Sequence, residues 1–115
     1  MAIPIEETIL DYLNGVLDVP CMMEIPPKKI EPPFVVIQKT GSSVDNRLYR
    51  VTLAIQSYGG TRYGASTLNE QVKEAMDSAV VLDRVTKSKL NSDYDYTDTS
   101  TKRYRYQAVY DINHY

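Results

Sequence analysis

Few residues in this chain could do chemistry. Asp93, Asp95 and Asp98 lie close together in the polar stretch Asn91 to Ser100. Hard cations want six or more oxygens, and calcium loops supply them with closely spaced carboxylates. The central glycine and distal glutamate of such a loop are missing, so a solvated acidic turn without a metal is expected. Serine is plentiful, but no Gly-x-Ser-x-Gly elbow occurs, and the only histidine, His114, is one residue from the last. That is a poor place for a positioned base, so a Ser–His–Asp site is not expected. The only cysteine, Cys21, would meet His114 only if the fold joined distant ends; a small buried hydrophobe is the simpler expectation. Gly59, Gly60 and Gly64 stand at a strand-to-helix junction, where phosphate-cradling loops also stand. The lysine and Ser/Thr of a P-loop are absent, which leaves a flexible turn.

The run Lys102-Arg-Tyr-Arg-Tyr106 mixes cations with aromatic rings, the chemistry of nucleic-acid surfaces. On a strand, alternation would put the rings of Tyr104 and Tyr106 on the face opposite Arg103 and Arg105. The ring-bearing face is then needed for a core, which argues against stacked bases there.

That run opens the strongest segment, Lys102 to His114. Tyr104, Tyr106, Ala108, Tyr110 and Ile112 alternate with Arg103, Arg105, Gln107, Asp111 and Asn113, the period of a strand with one apolar and one wet face. Arg47 to Tyr58 has the same character, and the two are expected to form the middle of a sheet. Phe34 to Lys39 is a continuous β-branched run, expected to be buried on both faces. The loop Gly41 to Asn46 should then close a hairpin whose tip projects well beyond the sheet. Cys21 to Ile25 reads as a short edge strand, and Val85 to Leu90 as a further one. Asn91 to Thr101 reads as an acidic loop holding a brief strand at Tyr94 to Thr97.

Two segments have helical spacing. Ile5, Ile9, Tyr12, Leu13 and Val16 make one amphipathic helix, with Pro4, Glu6 and Glu7 suited to its first turn. Leu68, Val72, Ala75, Met76 and Ala79 make the stripe of a second, running to about Leu82, with Asn69, Glu70, Lys73, Glu74 and Asp77 facing out. It should start between Thr61 and Thr67; Thr67 with Glu70 has capping-box spacing. The proline pairs at 26–27 and 32–33 read as a stiff surface connector. Each apolar stripe needs a sheet to cover. The expected fold is α+β: one domain over residues 1–115, with a mostly antiparallel mixed sheet and both helices on one face.

At 115 residues with a formal charge of −2, no global field advertises a nucleic-acid or membrane partner. Ten tyrosines against one phenylalanine and no tryptophan are the anomaly. They suit either a tyrosine-rich core strand or a protein–protein contact surface. A single cysteine allows no internal disulfide and fits a reducing compartment. No apolar run is long enough for a transmembrane helix, and the N-terminus lacks signal-peptide features, so a cytoplasmic chain is expected.

Phe34-Val-Val-Ile-Gln38, Gln56-Ser-Tyr58 ending a long strand, Tyr94-Asp-Tyr-Thr-Asp98 and Tyr104-Arg-Tyr-Gln-Ala-Val-Tyr-Asp-Ile112 resemble one family: the small tail-completion proteins of long-tailed bacteriophages, spanning tail terminators and tail-to-head joining proteins. The likeness runs from the first helix to the end and rests on order and flavour, without a catalytic signature. It implies a non-enzymatic virion protein without cofactor, made in the host cytoplasm and found at the head-proximal end of the tail. It implies a ring, commonly hexameric, that meets the tail tube protein on one side and the head connector on the other, with DNA passing the lumen but no specific nucleic-acid binding and no membrane partner expected. A ring needs two complementary patches per subunit. The expected contact elements are Ser42, Ser43, Val44, Asp45, Asn46, Arg47 and Arg50 at one hairpin, and Asp93, Tyr94, Asp95, Tyr96 and Asp98 in the acidic loop. Arg103 and Arg105 join them, with opposite charges setting register. The competing expectations are a prophage-encoded adaptor and a nucleic-acid-binding module using the Arg/Tyr strand.

Overall fold

A computed structural model describes residues 3–25, 30–45 and 47–115, the side chain of Asp45 excepted. The order is α1 (Ile5–Val16), β1 (Cys21–Met22), β2 (Phe34–Asp45), β3 (Leu48–Gly59), α2 (Arg62–Asp77), a 3-10 turn (Ala79–Val81), β4 (Val85–Asp95) and β5 (Tyr104–His114). The five strands form one sheet in the order β1-β2-β3-β5-β4. β1 runs parallel to β2; every other neighbouring pair is antiparallel. The fold is α+β with a mixed sheet, and the two long strands β3 and β5 are adjacent within it.

Alternation decides what each face does. Val35, Ile37, Val51, Leu53, Ile55, Ala108, Tyr110 and Ile112 point to one side, where they pack with Ile5, Ile9 and Leu13 of α1 and Leu68, Val72 and Met76 of α2. Fully burying each large aliphatic chain is worth about 1.5–3 kcal/mol, so this layer holds the helices in place. Two hydroxyls stitch it: Tyr12 donates to the Ala75 carbonyl (2.8 Å), and Tyr110 donates to the Lys73 carbonyl (3.1 Å) and to Asp77 Oδ1 (2.9 Å). Burial first, then the Asp77 carboxylate, pushes the Tyr110 hydroxyl up from its ordinary range. Burial likewise pushes the Cys21 thiol up to about 11.

Several local expectations are corrected. Gly41 to Asp45 is not a loop but the second half of β2, and only residues 46–47 separate it from β3. The hairpin tip does not project far: Asp45↔Leu48 lies one pair past Tyr49↔His114, where β5 ends. β4 likewise runs on through Asp95, so half of the expected acidic loop is strand. α2 ends at Asp77 rather than near Leu82; its start falls within the expected range, at the cap Thr61, whose Oγ1 accepts from Gly64 N at 2.9 Å. Thr67 lies inside the helix and donates to the Tyr63 carbonyl. Asn69 faces inward and is buried. Of the proline-rich connector, residues 26–29 lie outside the described residues. Ile30 is no free surface residue, because it packs against Phe34, Val36 and Tyr58.

The outer strands carry irregularities. The register of β2 on β3 shifts between Lys39 and Gly41, and that of β4 on β5 shifts between Val85 and Lys87 and again between Leu90 and Ser92.

Candidate interaction surface

The helices leave the other sheet face uncovered. On it lie Phe34 and Val36 of β2, Arg50, Thr52, Gln56 and Tyr58 of β3, Arg105, Gln107, Asp111 and Asn113 of β5, and Lys87, Lys89 and Tyr94 of β4. Three zones follow one another along the strands.

The first zone is aromatic and cationic. Phe34 and Tyr58 stack, with ring centroids 4.5 Å apart. The Arg103 guanidinium lies over both rings, at 5.9 and 5.3 Å. Arg105 lies 4.5 Å over Tyr96 and 5.8 Å over Tyr58. It also donates to the Tyr96 carbonyl (2.7 Å) and the Tyr58 hydroxyl (3.0 Å). The sequence reading correctly separated Arg103 and Arg105 from Tyr104 and Tyr106. It missed that these arginines meet other rings, because Phe34 and Tyr58 come from strands β2 and β3.

The second zone is a polar ladder. Gln56 donates to Gln107, which donates to the Tyr94 hydroxyl, and Tyr58 donates back to Gln56. Thr52 and Asn91 both donate to the carboxylate of Asp111. The third zone is a shallow groove of about 530 Å³ where Arg50, Lys87 and Lys89 converge beside Ser43, Thr52, Asp111 and Asn113. Lys87 and Lys89 were not singled out from the sequence; their spacing of two on a strand, against Ser88 and Leu90, was the signal available.

The expected contact residues fall at opposite ends of the sheet. Ser42, Ser43, Val44, Arg47 and Arg50 lie at the β2–β3 end, all exposed, with Arg47 in a left-handed conformation (φ 65°) at the turn. Asn46 and the side chain of Asp45 lie outside the described part. Tyr94, Asp95, Tyr96, Asp98, Arg103 and Arg105 lie at the β4–β5 end, so Arg47 and Arg50 do not meet these aspartates within one copy. The acids are engaged locally instead. Asp93 accepts from Lys73 (2.9 Å) and from Asn69 (3.0 Å). Asp93 first, then Glu70, raises the Lys73 ammonium above its ordinary range. Asp95 pairs with Arg62 at 3.2 Å and accepts from Thr97 N and Oγ1. Asp98 accepts from Ser100 and Thr101 and so closes the β4–β5 turn. They do not gather into a cation cage; among the described residues no such cluster of His, Cys, Asp and Glu occurs. Cys21 and His114 are not brought together either: Cys21 lies on β1 at one edge, whereas His114 ends β5 and stacks on Tyr49.

These turn contacts make a pH prediction. Hydrogen bonds from Thr97, then the Arg62 charge, hold Asp95 below the ordinary carboxylate value of 3.8. Ser100 and Thr101 hold Asp98 down to about 2. Both folded values are depressed, so the stability they contribute is complete above pH 3.8 and drains as pH falls towards about 2. A carboxyl-carbon NMR titration should place the Asp98 midpoint near about 2. A midpoint at the ordinary value would mean that the turn does not hold its carboxylate.

No family model matches the chain, and no curated protein is significantly similar to it in sequence. Among the described residues, no helix is long and apolar enough to cross a membrane.

Proposed function

We propose that this chain is a structural, non-enzymatic protein of the head–tail junction of a long-tailed phage. It works as a ring, of six copies on the family resemblance, that ends the tail tube or joins it to the head connector. In the virion it sits at the head-proximal end of the tail, between tube protein and connector.

The observation that supports this reading is the pair of sheet edges. β1 pairs only with Val35 and Val36, which leaves the outer edge of β2 from Ile37 onward without a strand neighbour among the described residues. β4 closes the opposite side of the sheet and, among the described residues, has no strand on its outer edge either. Three antiparallel steps separate the two, so β4 runs opposite to β2. A second copy set alongside in the same orientation therefore presents its β2 antiparallel to the first copy's β4, and the ladder continues. The two edges are different surfaces, which is what head-to-tail closure requires, whereas a two-fold dimer would reuse one surface.

Electron microscopy of tails made without the protein tests the proposal directly. Overlong tubes or tails lacking heads are the expected result. Virions of normal length and attachment would end the reading.

A further inference from the structure

Charge is segregated between the two layers. α1 and α2 carry Glu6, Glu7, Asp11, Glu70, Glu74 and Asp77 against only Arg62 and Lys73, and both of those cations reach carboxylates on β4. The uncovered sheet face reverses the balance. Arg50, Lys87 and Lys89 converge in one groove, and Arg103 and Arg105 stand at the far end. Among the described side chains at strand positions on this face, Asp111 is the single acid, and its carboxylate already accepts from Thr52 and Asn91. Glu31 and Asp98 flank the Arg103 end, so the groove is the more strongly basic zone.

We infer that this face is a binding surface for the phosphodiester backbone of duplex DNA, with Arg50, Lys87 and Lys89 as the principal phosphate contacts. The spacing suits that ligand. Lys87 and Lys89 are two residues apart, about 7 Å along a strand. Lys87 and Arg50 both oppose Asn113 from the two flanking strands, which sets them about 10 Å apart. Arg105 lies eight residues before Asn113 on β5, about 27 Å away. That span covers about eight phosphates of one strand of a duplex. The groove neighbours Ser43 and Asn113 carry donors suited to phosphate, while the Thr52 proton is committed to Asp111, and the groove offers no ring for a base, so a duplex fits better than an unstacked single strand. The helical layer repels the same polyanion, which orients the chain with its sheet towards DNA.

This inference deepens the tail-completion reading and rests on it for the source of the duplex. It turns the sheet to the lumen and the helices outward.

Fluorescence anisotropy of a short labelled DNA duplex, with the full chain across a salt series, tests it. Three neutralised phosphates predict a slope of about −2.7 in log K against log salt, an affinity loss of about 40-fold between about 50 and about 200 mM. Combined Arg50→Glu, Lys87→Glu and Lys89→Glu should weaken binding at least about tenfold and flatten the slope. The gentler Lys87→Gln/Lys89→Gln variant keeps the test open should charge reversal disturb folding, and Glu74→Gln on α2 should not weaken binding. Absence of salt-dependent binding, tighter binding to a single strand of the same length, or equal binding by the groove variants and the parent would each overturn the inference. None of these outcomes bears on tail morphology, so failure here and failure of the tail-completion reading are separate results.

Discussion

Gly59→Ala should destabilise the chain by about 3 kcal/mol or more, lowering the thermal midpoint by about 10 °C. Gly59 ends β3 opposite Tyr104, under the first turn of α2. A β-carbon there would fall on the backbone nitrogen of Ala65, with Ala65 Cα and Gly64 C each 2.8 Å away. All three are backbone atoms of a capped helix, so no side chain can swing aside. Relief requires α2 to lift from the sheet and to loosen Leu68, Val72 and Met76 with it. Gly60 is the control: a β-carbon there meets nothing within 4 Å, so Gly60→Ala should cost less than about 1 kcal/mol. Thermal melts of the two variants decide the matter; equal midpoints would refute the close approach.

Tyr58→Ala should cost about 3–4 kcal/mol, in the range for truncating a fully buried aromatic. Tyr58 is 2% exposed and stacked on Phe34. Its hydroxyl also takes a hydrogen bond from Arg105 and gives one to Gln56. Truncation therefore opens a cavity beneath Arg103 and Arg105 and removes one partner of each, leaving Arg105 on Tyr96 and Arg103 over Phe34. Tyr58→Phe keeps the stack and should cost only about 1 kcal/mol. Chemical denaturation separates the two, and a cost for Tyr58→Ala as small as that for Tyr58→Phe would show that the ring is not packed. Since the groove at Arg50, Lys87 and Lys89 lies at the other end of the face, duplex binding should survive Tyr58→Phe.

The architecture was legible wherever a period was long and clean. The alternation of Tyr104 to Ile112 gave both the strand and its buried side, and the stripes of α1 and α2 gave two helices needing one sheet face. Reading failed where polarity was taken for a loop. Ser42, Ser43, Asn91 and Ser92 look like turn residues, but they belong to outer strands whose exposed faces tolerate polar side chains. Gly59 failed for a different reason. A glycine needed for closeness and a glycine needed for flexibility look alike in one dimension, and only the position of Ala65 tells them apart. The candidate surface was half visible. Arg103 and Arg105 were placed on the correct side, but their rings and the companion lysines come from three other strands, and no local pattern states which strands are neighbours.

The irregularities in β2 and β4 would govern how copies meet in the proposed ring. A straight bare edge pairs with any other at many offsets, which is the route to unlimited fibres. An edge with an extra residue at one level fits a partner only where that partner makes room, and slipping by one residue would turn every side chain over. Of the two outermost long strands, β2 carries one such notch and β4 carries two. Joined through them, neighbouring copies would have a single allowed offset, and growth would stop once the circle was full.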